Sequence, residues 1–94
     1  MEVTNGLWKT WNLGFGQALE MLKVGYKVAR AGWNGKGMYL FLAKGTEIEF
    51  PKGDSHAERE VLPSIVMKTA DDKLVVGWLA SQTDMLAEDW MVLK

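Results

Sequence analysis

A glycine-rich stretch at residues 30–38 constrains what this chain can fold into more than any other part of its sequence. Three glycines and one Asn-Gly pair surround Trp33, so the backbone there can adopt positive φ angles and turn tightly beside the indole. One apolar run precedes the stretch and another follows it. The sequence therefore predicts two β-strands joined by a turn that presents a tryptophan.

The residues upstream of this turn have the apolar spacing of a helix. Four apolar residues recur at the spacing of one helix face, namely Phe15, Ala18, Leu19 and Leu22. Gly25 follows at the position of a left-handed C-cap residue. The pattern predicts a helix over residues 16–24 that packs on a β-sheet.

Short apolar runs in the rest of the chain have the length and composition of strands. They predict strands at residues 26–30, 38–43, 46–50, 62–69, 73–78 and 90–93. A turn at residues 70–72 joins two of these runs into a hairpin, which favours an antiparallel sheet. The expected fold class is α+β: a small antiparallel β-sheet with one N-terminal helix packed on it and a short helix before the last strand.

The 94 residues suffice for a single domain, which we place at residues 15–94 after an irregular arm at residues 1–14. Trp8 and Trp11 in the arm are expected to pack, either over the core or against a neighbouring subunit. The chain is 48% hydrophobic and contains five tryptophans and six methionines. A monomer of this size hides so many large apolar side chains with difficulty, so we expect self-association.

Composition excludes several classes of function. The chain has no cysteine, and its one histidine, His56, lies in a polar stretch at residues 52–60 that reads as a surface loop. We therefore expect no metal site and no thiolate nucleophile, and we assign no catalytic residue and no cofactor. A net charge of −1 without a basic stripe argues against polymeric nucleic acid as a partner. No apolar run approaches the roughly 18 residues of a membrane span and the start lacks signal-peptide features, so we expect a soluble, intracellular protein.

The glycine-rich turn offers a first candidate binding site. It combines an aromatic face, a side-chain amide, open backbone and two cations, from Trp33, Asn34, Gly35, Arg30 and Lys36. An indole can stack on a base and the cations can neutralise phosphates, so the set suits a nucleotide. The structural alternatives are that Asn34 only shapes the turn and that Trp33 is a lid on the core.

A second candidate site lies at the predicted short helix near the C-terminus. Ser81 as N-cap and Asp84 three residues later predict a capping box that starts a short helix ending at about residue 88. Unpaired backbone N–H groups at Ser81, Gln82 and Thr83 favour an anion, and Trp78 stands beside them as a second stacking wall. Capping alone also explains Ser81 and Asp84, and Trp78 and Trp90 are expected in the core.

Four blocks of the sequence, taken together, resemble one known family. They are Phe-Gly-Gln-Ala-Leu at 15–19, Lys-Val-Ala-Arg at 27–30, Gly-Trp-Asn-Gly-Lys-Gly-Met at 32–38 and Trp-Leu-Ala-Ser-Gln-Thr-Asp-Met-Leu-Ala-Glu-Asp-Trp at 78–90. In this order they closely resemble the phage Thoeris anti-defence 2 family. The pairing of the last two blocks is far more specific than either block alone.

The resemblance implies a fold and a function. Similar proteins are small α+β homotetramers that act as sponges: they bind the cyclic ADP-ribose isomer made by bacterial TIR-domain immune enzymes and hold it intact. Some relatives also capture cyclic dinucleotides at a separate site. The resemblance further implies pockets shared between subunits and a place of action in the cytoplasm of the host bacterium. The candidate ligand-binding residues are Arg30, Trp33, Asn34, Gly35, Lys36, Met38, Trp78, Ser81, Gln82, Thr83 and Asp84.

Two other functions stay open on the sequence alone. One is an enzyme that degrades such a nucleotide, with Asp84, Glu88 or Asp89 as acid or base. Paired carboxylates on a short helix are, however, expected as helix-end and surface charges. The other is a protein-binding phage module, which the surplus of apolar residues would suit.

Overall fold

A computed structural model describes residues 10–33, 36–45 and 59–93. Seven helices and strands follow one another in these segments: α1 (Phe15–Val24), β1 (Lys27–Arg30), β2 (Tyr39–Ala43), β3 (Ser64–Lys68), β4 (Leu74–Val76), α2 (Gln82–Leu86) and β5 (Trp90–Leu93). The strands form one antiparallel sheet in the order β4-β3-β2-β1-β5. The predicted fold class is confirmed, with α1 packed on the sheet and α2 before the last strand.

The order of the strands brings the start of β5 beside the start of the glycine-rich turn. Strands β1 and β2 pair across that turn, as predicted, with Val28 opposite Leu40. Strand β5 returns along the other side of β1 and places Trp90 opposite Arg30. Residues about sixty positions apart in sequence therefore become neighbours at the start of the turn.

Helix α1 has a defined end on each side. The Gly14 N–H donates a hydrogen bond of 3.0 Å to the Gln17 side chain at the N-terminus. At the C-terminus Gly25 adopts φ 106°, the predicted left-handed C-cap conformation, and its N–H donates to the Leu22 carbonyl. Glycine tolerates this angle without the steric cost that a Cβ would add. The predicted end of the helix is confirmed.

The core lies between α1 and one face of the sheet. Its buried members are Leu13, Ala18, Met21, Leu22, Val28, Leu40, Met67, Trp90 and Val92. Trp90 is fully buried, as predicted. Leu13 is also fully buried because it exchanges backbone hydrogen bonds with Trp90 on the outer edge of β5. On the helix, Met21 was not part of the predicted stripe, whereas Leu19 is only partly buried.

Some predictions differ from the structure at their edges. Trp11 is 60% exposed, so the alternative in which it packs over the core of its own chain is wrong, whereas Leu13 is fully buried. Helix α2 ends at Leu86 rather than at the predicted residue 88 because Ala87 is extended. The predicted strand at 46–50, the loop from 52 to 58 with His56, and Trp8 lie outside the described residues.

The helices are ten and five residues long. In the segments that the structure describes, no helix has the length and hydropathy needed to cross a bilayer.

We expect Leu22→Ala to lower the free energy of unfolding by about 2–5 kcal/mol, because it empties a site in the core. Val24→Ala, two residues along the same helix and on its exposed surface, should change it by less than about 0.5 kcal/mol. Chemical denaturation of both variants measures the difference. Equal losses would show that the helix faces the sheet differently.

Candidate functional site

A cleft of about 330 Å³ lies where the turn between β1 and β2 meets strand β5. It is lined by Ala29, Arg30, Ala31, Trp33, Lys36, Gly37, Met38, Met91 and Leu93. Side chains alternate along a strand, so Ala29 lies on the sheet face opposite the buried Val28, together with its cross-strand partner Met91. The cleft thus has a small, apolar floor on the side of the sheet away from α1.

Trp33 forms one wall of the cleft and is held by two other indoles. Its ring is edge-to-face with Trp90, with centroids 5.4 Å apart, and with Trp78, with centroids 6.3 Å apart. Trp78 is in turn 6.4 Å from Trp90. We call Trp33, Trp78 and Trp90 the tryptophan cluster. Trp33 both packs on the core, as the lid interpretation expected, and lines the cleft, as the binding interpretation requires.

Arg30 is bound to two carboxylates behind this wall. Its Nε donates to Asp89 Oδ1 and its Nη1 donates to Asp84 Oδ1, both at 2.9 Å. The side chain is only 15% exposed. Hydrogen bonds to Asp89 and Asp84 raise the pKa of Arg30 above its usual value. The guanidinium is therefore fixed in place and its charge is balanced within the chain.

Asp84 connects α2 to the tryptophan cluster. It forms the predicted capping box: its N–H donates to Ser81 Oγ and its Oδ2 accepts from the Ser81 N–H. Its Oδ1 accepts the Arg30 bond and a bond of 3.2 Å from Trp33 Nε1. Its backbone carbonyl accepts from Trp90 Nε1 at 2.9 Å. One residue thus fixes the polar edges of two of the three indoles.

These contacts set the ionisation of Asp84. Burial alone would raise its pKa, because the side chain is 14% exposed. The hydrogen bonds from Arg30, Ser81 and Trp33 outweigh that effect and lower the pKa below the ordinary value of 3.8. Asp84 is therefore an ionised structural acceptor at neutral pH.

Asp89 is a residue of this site that the sequence interpretation considered only as an acid or base of the alternative enzyme. Its Oδ2 accepts a hydrogen bond of 2.7 Å from the Gly32 N–H, and its backbone carbonyl accepts from the Ala31 N–H. The hydrogen bond from Arg30 lowers the pKa of Asp89, although burial opposes it. Only the pairing of β1 with β5 reveals these contacts, and no local pattern encodes that register.

The structure separates the predicted site residues into three groups. Arg30, Trp33, Lys36 and Met38 line the cleft. Trp78 and Asp84 lie behind Trp33 and contact it. The start of α2, at residues 81–83, is exposed and is not among the described residues that line the cleft. Asn34 and Gly35 lie outside the described residues. The sequence interpretation missed the apolar floor formed by Ala29, Met91 and Leu93.

In residues 10–33, 36–45 and 59–93, no group of three or more histidine, cysteine, aspartate or glutamate side chains is placed to hold a metal ion. Asp84 and Asp89, which lie behind Trp33, instead accept hydrogen bonds from Arg30 and from other N–H groups.

Comparison with known proteins gives two matches to the same kind of protein. The sequence model of the Thoeris anti-defense 2-like domain matches residues 13–93. Thoeris anti-defense 2 of Bacillus phage SP01 is 46% identical over 86 residues, which cover 87% of this chain and 96% of that protein. The matched residues 13–93 span the turn, α2 and β5, so they include every element of the cleft and its wall.

The lowered pKa of Asp84 predicts how the protein responds to acid. An ionised Asp84 contributes stability that is present above its ordinary pKa of 3.8 and is lost as the pH falls through the lower native value. Asp84→Asn should therefore cost about 1–3 kcal/mol of unfolding free energy at neutral pH.

That cost should shrink between neutral pH and about pH 3, because the wild-type carboxyl gains protons as the pH falls toward its lowered pKa. Other carboxyls titrate in both proteins and cancel in the comparison. Denaturant titrations at the two pH values measure the difference, and a cost that stays constant with pH would refute the role of the carboxylate.

Proposed function

The chain belongs to the Thoeris anti-defence 2-like family, and we propose that it is a phage anti-defence protein that sequesters a cyclic nucleotide immune signal without cleaving it. The proposed signal is a cyclic ADP-ribose isomer made by TIR-domain enzymes, with cyclic dinucleotides as a further ligand class. The protein acts in the cytoplasm of the infected bacterium. Holding the signal intact keeps it from the downstream effector.

The observation that carries this proposal is the cleft beside Trp33. A nucleobase stacked on the indole gains about 1–3 kcal/mol, and the exposed Lys36 at the rim supplies a charge for a phosphate. Met38 and the apolar floor exclude water from the base. We assign Asn34 and Gly35, which follow Trp33 in the turn, to hydrogen bonds with the same ligand.

A second subunit completes the pocket in this proposal. A volume of about 330 Å³ is at the low end for small-molecule sites, so one chain encloses little of a cyclic nucleotide. Near α2, Leu79 is 89% and Leu86 is 77% exposed, which leaves apolar surface for a neighbouring copy. In a homotetramer, the exposed start of α2 at residues 81–83 would close the cleft of the adjacent subunit and meet the ligand's anionic groups.

The ionisation of the two aspartates favours binding over catalysis. A general base works best with a pKa near the working pH, and a general acid must be protonated there. Hydrogen bonding to Arg30 lowers the pKa of Asp89, and the bonds that Asp84 accepts lower its pKa despite burial. Both residues are therefore poorly suited to acid–base chemistry on a nucleotide, which argues against the degrading-enzyme alternative.

Sequestration also requires tight binding. A nanomolar dissociation constant corresponds to about −12 kcal/mol, of which stacking on one indole supplies only a part. The remainder must come from enclosure between subunits and from phosphate contacts. The protein must also be at least as abundant as the signal, because each site removes one molecule.

A capture experiment tests the proposal. Purified protein is mixed with cyclic ADP-ribose isomers, cyclic dinucleotides and NAD, freed of unbound ligand, and heat-denatured, and the released species are identified by mass spectrometry. We expect one cyclic nucleotide to be released intact. A cleaved product would support the enzyme, and no captured nucleotide would support the protein-binding module that the exposed apolar residues also suit.

We expect Trp33→Ala to weaken binding of the captured nucleotide about tenfold or more, because the stacking surface is lost. Trp33→Phe keeps an aromatic face and should retain most of the affinity. Calorimetric titration measures both variants.

Leu22→Ala is the matched control, because it weakens the core without touching the cleft. If Leu22→Ala reduced affinity as much as Trp33→Ala, lost stability rather than lost stacking would explain the effect, and the assignment of Trp33 would be wrong.

A further inference from the structure

The turn that carries Trp33 is fastened at both ends by side chains from distant parts of the sequence. At its start, the Gly32 N–H donates a hydrogen bond of 2.7 Å to Asp89 Oδ2. At its end, Lys68 Nζ donates a hydrogen bond of 3.1 Å to the Gly37 carbonyl. Trp33 lies between these two points and lines the cleft.

Asp89 can hold the turn because its two carboxylate oxygens have different partners. Oδ2 binds the backbone of Gly32, one residue before Trp33, whereas Oδ1 binds Arg30 Nε at 2.9 Å. The same guanidinium binds Asp84 Oδ1, which accepts the indole N–H of Trp33. Asp89 therefore fixes the backbone before the indole and also the arginine that orders the acceptor of its polar edge.

Gly32 shows how closely the carboxylate approaches. A Cβ added at this position would lie 2.8 Å from Asp89 Oδ2, which is closer than a carbon and an oxygen can stand. Gly32 is not among the glycines with positive φ, so an alanine would meet no backbone strain there. The carboxylate, rather than the backbone angle, is what an alanine at residue 32 would have to displace.

From these contacts we infer that Asp89 is a positioning residue of the cleft, with Lys68 as the second fastening at the far end of the turn. Asp89 is not among the described residues that line the cleft, and it acts by fixing where Trp33 stands. A Trp33 side chain whose position is already fixed loses less conformational freedom when a ligand binds, so loosening it weakens binding. The inference rests on the proposed function in one respect, that Trp33 contacts the ligand.

The first test compares two aspartate variants. Asp89→Ala should weaken binding of a cyclic ADP-ribose isomer about tenfold or more. Asp71→Ala is the matched control, because Asp71 is also a hydrogen-bonded carboxylate but bonds Thr69 at the turn between β3 and β4. Thermal midpoints are measured for both. Unchanged affinity in Asp89→Ala, or an equal loss in Asp71→Ala at an equal midpoint, would overturn the inference.

A second variant tests the contact itself. Gly32→Ala should displace the carboxylate and weaken binding as Asp89→Ala does. In the double variant the carboxylate is absent, so the added methyl group has room. The double variant should therefore lose little more affinity than Asp89→Ala alone. Two losses that multiply in the double variant would show that they do not share one contact. If Asp89→Ala fails to fold, Asp89→Asn, which keeps the side-chain volume and one acceptor oxygen, serves in the same cycle.

A measurement on the protein without ligand distinguishes failure of this inference from failure of the proposed function. If the wild-type protein captures no nucleotide, the proposed function fails, and the position of Trp33 is then judged by its indole N–H resonance. Asp89→Ala should shift that resonance and speed its exchange with solvent, whereas Asp71→Ala should not. A Trp33 resonance that is the same in Asp89→Ala and the wild type would refute the positioning role.

Discussion

The pairing of Arg30 with Asp84 and Asp89 is the interaction on which the rest of this structure depends. It joins the end of β1, the first turn of α2 and the residue before β5, none of which has another charged link to the others among the described residues. The three side chains are 15%, 14% and 30% exposed, so the removal of one partner would leave a poorly hydrated charge. Asp84 also accepts the indole N–H of Trp33, and Asp89 accepts the backbone N–H of Gly32. The two aspartates therefore fix both the indole and the backbone at the start of the turn.

This arrangement decides what the site can do. Asp84 and Asp89 already accept hydrogen bonds from N–H groups, and these bonds lower the pKa of both side chains. Both carboxylates are therefore ionised at neutral pH, where they serve as structural hydrogen-bond acceptors and not as proton carriers. What remains open to a ligand is an aromatic wall, the apolar floor and a rim lysine. In the proposed function, these groups bind a flat base with an attached phosphate. In that proposal, a second subunit completes this shallow cleft and the protein stores the signal.

Local chemistry allowed much of the fold to be predicted. Gly25 specified the end of α1, the Ser81 and Asp84 pair specified the start of α2, and the glycine-rich stretch specified the bend between β1 and β2. Local sequence patterns did not predict the register of β5 against β1. That register alone brings Asp89 to Gly32, and it also places Met91 beside Ala29 in the floor of the cleft. The burial of Leu13 in place of Trp11 has the same origin, because it depends on which residue meets Trp90.

The most direct test of this account is a titration of tryptophan-labelled protein with a cyclic ADP-ribose isomer, followed by the indole N–H resonances of its five tryptophans. Trp33→Phe identifies the resonance of Trp33. We predict that the free resonance of Trp33 loses intensity in proportion to added nucleotide while a shifted resonance grows until the sites are filled, and that the nucleotide's own signals stay those of the intact compound. A Trp33 resonance that does not move while nucleotide is bound, or nucleotide signals that convert to those of a product, would contradict the account.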